Sequence, residues 1–264
     1  MGTDALSVVC FGASAGGFDA YCTILSRLPA DTGLAFIIVH HQPADGKSLL
    51  VEILPRFTKM PVVLLTDGER VEADHVYVVP AGMQVLMAGD AFRLAPLSER
   101  SGWPKNISIF LLSLAGDRQK RAVAVILSGV DSDGAAALKA IKEAGGIVIA
   151  QEFHTAQHPD MPQSAVKTGC VDFVLSPAEI ADKIRRIGEE RGRSNGHRHQ
   201  RSLPAVSGRK VRLASPRGLS TPTSRASWAR ARYHVQRDCT DCARASASAL
   251  CAVSRSRMLP TPSA

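Results

Sequence analysis

The chain is predicted to fold as an α/β domain, a three-layer, doubly wound, mostly parallel sheet with an antiparallel meander at its edge, followed by a disordered basic tail. Three observations predict this. Short, β-branched apolar runs recur with helical patterns between most of them; these runs are apolar at successive positions rather than alternating; and composition changes abruptly after Ile187. A strand apolar on both faces belongs in a parallel sheet covered by helices on each side.

The predicted strands are Ser7–Phe11, Leu34–Val39, Val62–Leu65, Ala122–Leu127 and Ile147–Ala150. Between the first two, Ala20, Ile24, Leu25 and Leu28 recur at helical spacing. The rhythm then breaks: His75–Val79, Gln84–Met87 and Phe92–Leu94 are brief runs joined by Pro80-Ala81-Gly82 and Ala88-Gly89-Asp90, the spacing of an antiparallel meander. A helix is expected over Ile107–Ala115, and another where Ala135, Leu138 and Ile141 follow Gly134. A domain of this size buries roughly 70% of its unfolded surface, enough for a core without disulfides or metal.

Charge divides the chain as the apolar pattern does. Residues 1–187 carry 17 Lys+Arg and 20 Asp+Glu, a net −3, whereas residues 188–264 carry 15 and 4, a net +11. The basic balance therefore belongs to the tail and says nothing about the domain's ligand. The tail is rich in Arg, Ser, Ala and Pro, lacks sustained apolar periodicity and is expected to be disordered. Contact with nucleic acid or an anionic membrane is conceivable for so basic a segment, but no nucleic-acid partner is expected. Cys10, Cys22 and Cys170 lie in apolar segments and are expected to be buried thiols in a reducing cytoplasm. Cys239, Cys242, Cys251 and His234 resemble a metal site only faintly, and no metal or cofactor is assigned. The start lacks a basic signal region and no apolar run approaches the ~20 residues of a membrane helix, so a cytoplasmic protein without membrane insertion is expected.

Gly12-Ala13-Ser14-Ala15-Gly16 reads G-x-S-x-G directly after the first strand. Glycines around a serine at a strand end expose the hydroxyl on a sharp turn, with backbone N–H groups nearby to hold an oxyanion. A dinucleotide-binding turn is the rival reading, but it needs differently spaced glycines and an acidic residue near the end of the next strand, where His40 and His41 stand instead. The fourth long strand delivers Ser128-Gly129-Val130-Asp131-Ser132-Asp133-Gly134 at its carboxyl end. Carboxyl ends of parallel strands share one sheet edge, so a serine, a histidine and an aspartate converge there. Taken alone, Asp133 also suits a helix cap and the histidines suit a hydrogen-bonded strand end.

Five ordered motifs carry a family resemblance: Gly12 to Gly17; the histidine before Gln42-Pro43; Asp67-Gly68 with Val76 to Pro80; Leu127-Ser128-Gly129 to Asp133-Gly134; and Met161 to Ala165. In this order the chain resembles, over roughly Leu6 to Ile187, chemotaxis protein-glutamate methylesterases of the CheB type. The resemblance implies a Ser-His-Asp triad of Ser14, His41 rather than His40, and Asp133 rather than Asp131. It implies hydrolysis of glutamate γ-methyl esters, or deamidation of glutamine, on the cytoplasmic helices of methylated chemoreceptors, in the company of a methyltransferase or other chemosensory proteins. Backbone N–H groups near Ala15 and Val130 are the expected oxyanion donors. No receiver domain is expected before the first strand, and the tail is either a segment of its own or a remnant of a truncated or frameshifted methyltransferase region.

Two departures from the family pattern bear on activity. Val130 and Asp131 stand where methionine and glycine are usual, and an inward-pointing Asp131 would raise the imidazole pKa. Ser108 falls at a position usually held by aspartate, with Trp103 before Pro104 in place of arginine, which bears on substrate binding. The alternative to an esterase is a catalytically degenerate domain of the same fold that binds receptors or signalling partners.

Overall fold

The computed structural model describes residues 6–41, 49–97 and 105–200, with side chains to Arg193. Gln42, Pro43, Trp103, Pro104 and the tail cysteines with His234 lie outside the described residues. The first strand, β1 (Ser7–Ala13), is buried at every position because it has a parallel neighbour on both sides: β2 (Leu34–His40) and β7 (Ala122–Ile126). Outward from β2 lie β4 (Val76–Val78) and β3 (Val62–Leu64); outward from β7 lie β8 (Ile147–Gln151) and β9 (Phe173–Leu175). All seven strands are parallel. The chain builds one half of the sheet, returns across β1 and builds the other, so the strand order reverses beside β1, where open sheets of this kind bind ligands.

Alternation along the strands splits the core into two layers. Val8 and Cys10 of β1, with Ile37 and Val39 of β2, face α3 (Asn106–Arg118), α4 (Leu138–Glu143) and α5 (Asp160–Lys167). Val9 and Phe11, with Phe36 and Ile38, face α1 (Gly17–Arg27), the short α2 (Leu50–Ile53) and α6 (Pro177–Gln200). The expected helical spacing of Ala20, Ile24, Leu25 and Leu28 is the buried stripe of α1. Burial of this kind contributes about 1.5–3 kcal/mol per large apolar side chain, which explains why successive strand positions must all be apolar.

The antiparallel part is a hairpin of β5 (Met83–Ala88) and β6 (Ala91–Pro96) that forms its own two-stranded sheet. The first of the three runs read as a meander belongs instead to the parallel sheet, as β4. Burial explains the division. Every residue of β4 is buried, so it needs a neighbour at each edge, whereas Leu86 and Ala88 of β5 are exposed and a hairpin with one solvated face suffices. The turn is the two-residue Gly89-Asp90, where Gly89 has φ 59°.

The domain boundary expected at Ile187 falls inside α6, which continues to Gln200. Past Ile187 the helix docks through polar contacts that apolar periodicity does not register. Arg191 donates from Nη1 to the Arg121 carbonyl at 3.0 Å and from Nη2 to the Lys120 carbonyl at 2.9 Å. Gly188 lies so close to Thr32 that a Cβ there would meet its carbonyl oxygen at 2.5 Å. Replacing Arg191 with alanine is expected to destabilise the domain by about 1–2 kcal/mol in urea unfolding of the full chain; an unchanged midpoint would show that this turn of α6 does not contribute to the fold.

Candidate active site

The carboxyl ends of β1, β2 and β7 are laced together by backbone bonds. Ala13 stands opposite His40, the His41 N–H donates to the Ala13 carbonyl at 3.1 Å, and the Ser14 N–H donates to the Ser128 carbonyl at 3.0 Å. Ser14 is thus held between the segments that carry His41 and Asp133. The chain turns sharply into α1 at Gly16, whose φ of 76° suits glycine, and a Cβ on Gly17 would lie 2.5 Å from that of Ala13. Ser128 fixes a third segment, because its hydroxyl donates to the Ala15 carbonyl at 2.8 Å and accepts the His158 N–H at 2.9 Å. Gly129 admits no side chain, since a Cβ would meet the Met161 sulfur at 1.9 Å and the Ser14 Cβ at 3.0 Å.

Successive residues at a strand end point to opposite faces, and this separates the two histidines. His40 turns towards α1, 3.3 Å from the Tyr21 hydroxyl, and burial followed by the neighbouring His41 charge lowers its pKa to about 4. His41 turns the other way, and its Nε2 lies 2.8 Å from Oδ2 of Asp133.

Asp133 is buried and held by an unusual number of donors. Its Oδ2 accepts the Ile107 N–H at 2.9 Å; its Oδ1 accepts the Ser108 N–H at 3.0 Å and the Ser108 hydroxyl at 2.6 Å. Lys105, which precedes α3, supplies no side-chain cap, so Asp133 reaches across from another loop and caps that helix. The capping alternative raised by the sequence and the proximity to histidine both hold, though the helix capped is α3 rather than the one following Gly134. Burial raises the Asp133 pKa, but the bonds from His41, Ser108 and Ile107 outweigh it and hold the carboxyl below its ordinary range. Ser108 itself is buried and accepts the Gly134 N–H at 2.9 Å, so it faces Asp133 rather than an incoming ligand. Sequence reasoning read Ser108 only as a missing charge; a hydroxyl three residues into a helix was the available signal.

Asp131 points inward. One oxygen accepts the Asp133 N–H at 2.8 Å, and the other lies 3.0 Å from Nδ1 of His41, off the N–H direction, so this contact is an ion pair more than an aligned hydrogen bond. Both nitrogens of His41 therefore face carboxylates. Burial alone would lower the imidazole pKa, yet bonding and charge from Asp131 and Asp133 reverse the balance and raise it to about 9. The Ser14 hydroxyl makes no hydrogen bond among the described residues, and Ser14 and His41 adjoin through backbone without a side-chain bond.

The N–H groups of Ala15, Gly16 and Val130 hold no hydrogen bond among the described residues, which leaves donors beside Ser14 where α1 begins. No group of three or more candidate metal ligands clusters among the described residues.

Residues 9–184 match the model of the CheB methylesterase family. The chain belongs to that family. A Moorella thermoacetica protein-glutamate methylesterase/protein-glutamine glutaminase is 33% identical over 185 residues, covering 68% of this chain and 43% of the relative. A Leptospira interrogans protein carrying the same two activities in its name is 32% identical over 182 residues, 69% of this chain and 94% of that protein. The crystal structure of the Thermotoga maritima CheB methylesterase catalytic domain superposes with a TM-score of 0.66 at 27% identity, over 69% of this chain and 99% of that one. The fold shared with that domain is α/β, here a parallel seven-stranded sheet with its helices.

The linked titrations predict how stability varies with pH. His41 has its folded pKa raised from 6.5 to about 9, so its contribution is complete below pH 6.5 and is lost as pH rises through about 9. Asp131 and Asp133 are depressed from 3.8, so theirs is present above that value and is lost as pH falls through the folded pKa values. Urea midpoints of the full chain are expected to decline between pH 6.5 and 10, with a shallower decline in His41→Asn. Equal alkaline slopes in the two proteins would contradict the assignment.

Proposed function

We propose that the chain is a serine esterase that hydrolyses γ-methyl esters of glutamyl side chains, and deamidates glutaminyl side chains at the same acyl position, on methylated chemoreceptors. The observation that carries the reading is the placement of β1 between β2 and β7, which sets Ser14 beside both His41 and the Asp133 segment on one sheet edge. The two activities are those in the names of the relatives.

Ser14 is the nucleophile in this reading. Asp133, anchored by the start of α3, keeps Nε2 of His41 and stabilises the imidazolium, while Nδ1 takes the Ser14 proton once it leaves Asp131. Ser14 Oγ attacks the acyl carbon, and the N–H groups of Ala15 and Val130 receive the oxyanion. Each such donor is typically worth about a hundredfold to a thousandfold in turnover. His41 returns the proton to the leaving group, which departs as methanol or ammonia. A water deprotonated by His41 then cleaves the acyl-enzyme and leaves a glutamate carboxylate.

The catalytic domain in this reading runs to Gln200, and the basic tail is a separate segment. No helix among the described residues is long and apolar enough to cross a membrane, and the proposed meeting place is the cytoplasmic helices of the receptors. A second reading, a receptor-binding domain without turnover, is favoured by the commitment of both His41 nitrogens to carboxylates.

Methanol release from methylated chemoreceptor cytoplasmic domains separates the two. The full chain is expected to release methanol, and Ser14→Ala is expected to lower the rate by about a thousandfold or more. Receptor binding with no Ser14-dependent release at any pH would establish the second reading.

A further inference from the structure

We propose that Asp131 is a positioning residue that holds His41 between two carboxylates, with neither ring nitrogen turned to Ser14, so that the resting site is shut and hydrolysis begins only when the Asp131 contact opens. This inference rests on the esterase reading.

The two carboxylates are not equivalent. The Asp133 side chain is 4% exposed and bound by the Ile107 N–H, the Ser108 N–H and the Ser108 hydroxyl, so it cannot leave without uncapping α3. The Asp131 side chain is 25% exposed, and besides His41 its one bond among the described residues is to the Asp133 N–H, through the oxygen that does not face the ring. Asp131 is therefore the partner that can withdraw. While it stays, it favours the imidazolium, whose Nδ1 has no lone pair for the Ser14 proton, and the Ser14 hydroxyl makes no hydrogen bond among the described residues.

The charges facing His41 among the described residues come from few elements. Asp131 and Asp133 lie on the segment after β7; His40 precedes it on β2 and stays neutral near neutral pH; Cys10 on β1 is a buried thiol whose pKa burial and Asp133 push far up. The first turn of α3 carries no acidic residue. With its pKa raised to about 9, His41 is mostly protonated at pH 7. Removing the Asp131 charge lowers that value and opens the site in a larger fraction.

Asp131→Asn tests this with least disturbance, because the amide oxygen still accepts the Asp133 N–H. Asp131→Gly removes the side chain altogether, and thermal unfolding checks both. The titration of His41, followed by nitrogen-15 NMR of its imidazole in the full chain, is expected to fall by about one unit or more in both variants. Ser14-dependent hydrolysis of a glutamyl methyl ester at pH 7 is expected to rise about tenfold, with little change at pH 10, because the alkaline form is already neutral. An unmoved His41 midpoint and an unmoved pH profile, with Ser14-dependent hydrolysis intact, would overturn the clamp alone. A midpoint that falls with no Ser14-dependent hydrolysis in any protein would overturn the esterase reading and, with it, the clamp's part in turnover.

Discussion

A single buried carboxylate ties the active-site edge together. Asp133 accepts bonds from the first turn of α3 and from His41 at the end of β2, while lying on the loop that follows β7. A carboxylate taken out of water is tolerated only when its oxygens are filled by donors, and here those donors come from separate elements of the fold. Satisfying one charge therefore fixes where a helix begins and which way an imidazole faces. It also keeps the charge ionised at neutral pH, because its bonds favour the anion more than burial opposes it.

The backbone around Ser14 is constrained as tightly, though by sterics rather than charge. Glycine at 129 lets the loop after β7 pass between Ser14 and Met161, where a methyl group would overlap the Met161 sulfur. Gly16 and Gly17 let the chain leave β1 and enter α1 within a few residues. These close approaches place three segments within hydrogen-bond reach of Ser128 and leave N–H groups beside the serine with no hydrogen bond among the described residues. Of the two carboxylates that face His41 beside this closely packed backbone, Asp131 is the more exposed.

Much of the fold was legible because continuous apolar runs have one economical home, a parallel sheet covered on both faces, and Ser7–Phe11 and Leu34–Val39 are such runs. Less was legible where packing is polar or very short. β9 has three residues at an edge and carries little pattern; the end of α6 docks through Arg191 rather than an apolar stripe. The runs before and after Pro80 looked alike in sequence, and only their burial separates a parallel strand from a hairpin. The meeting of His41 with Asp133 was readable from strand-end placement. The inward turn of Asp131 and the support from Ser108 were not, because sequence shows which residues lie on a loop but not which oxygen faces which donor.

The central claim is that Ser14 is the nucleophile of a site gated by the protonation and pairing of His41. Mass spectrometry of the full chain after timed exposure to a phosphonofluoridate, which acylation-competent serines attack irreversibly, tests it most directly. The predicted result is one adduct on Ser14, forming faster as pH rises through about 9. An adduct elsewhere, or none on Ser14 at any pH in the folded protein, would contradict it.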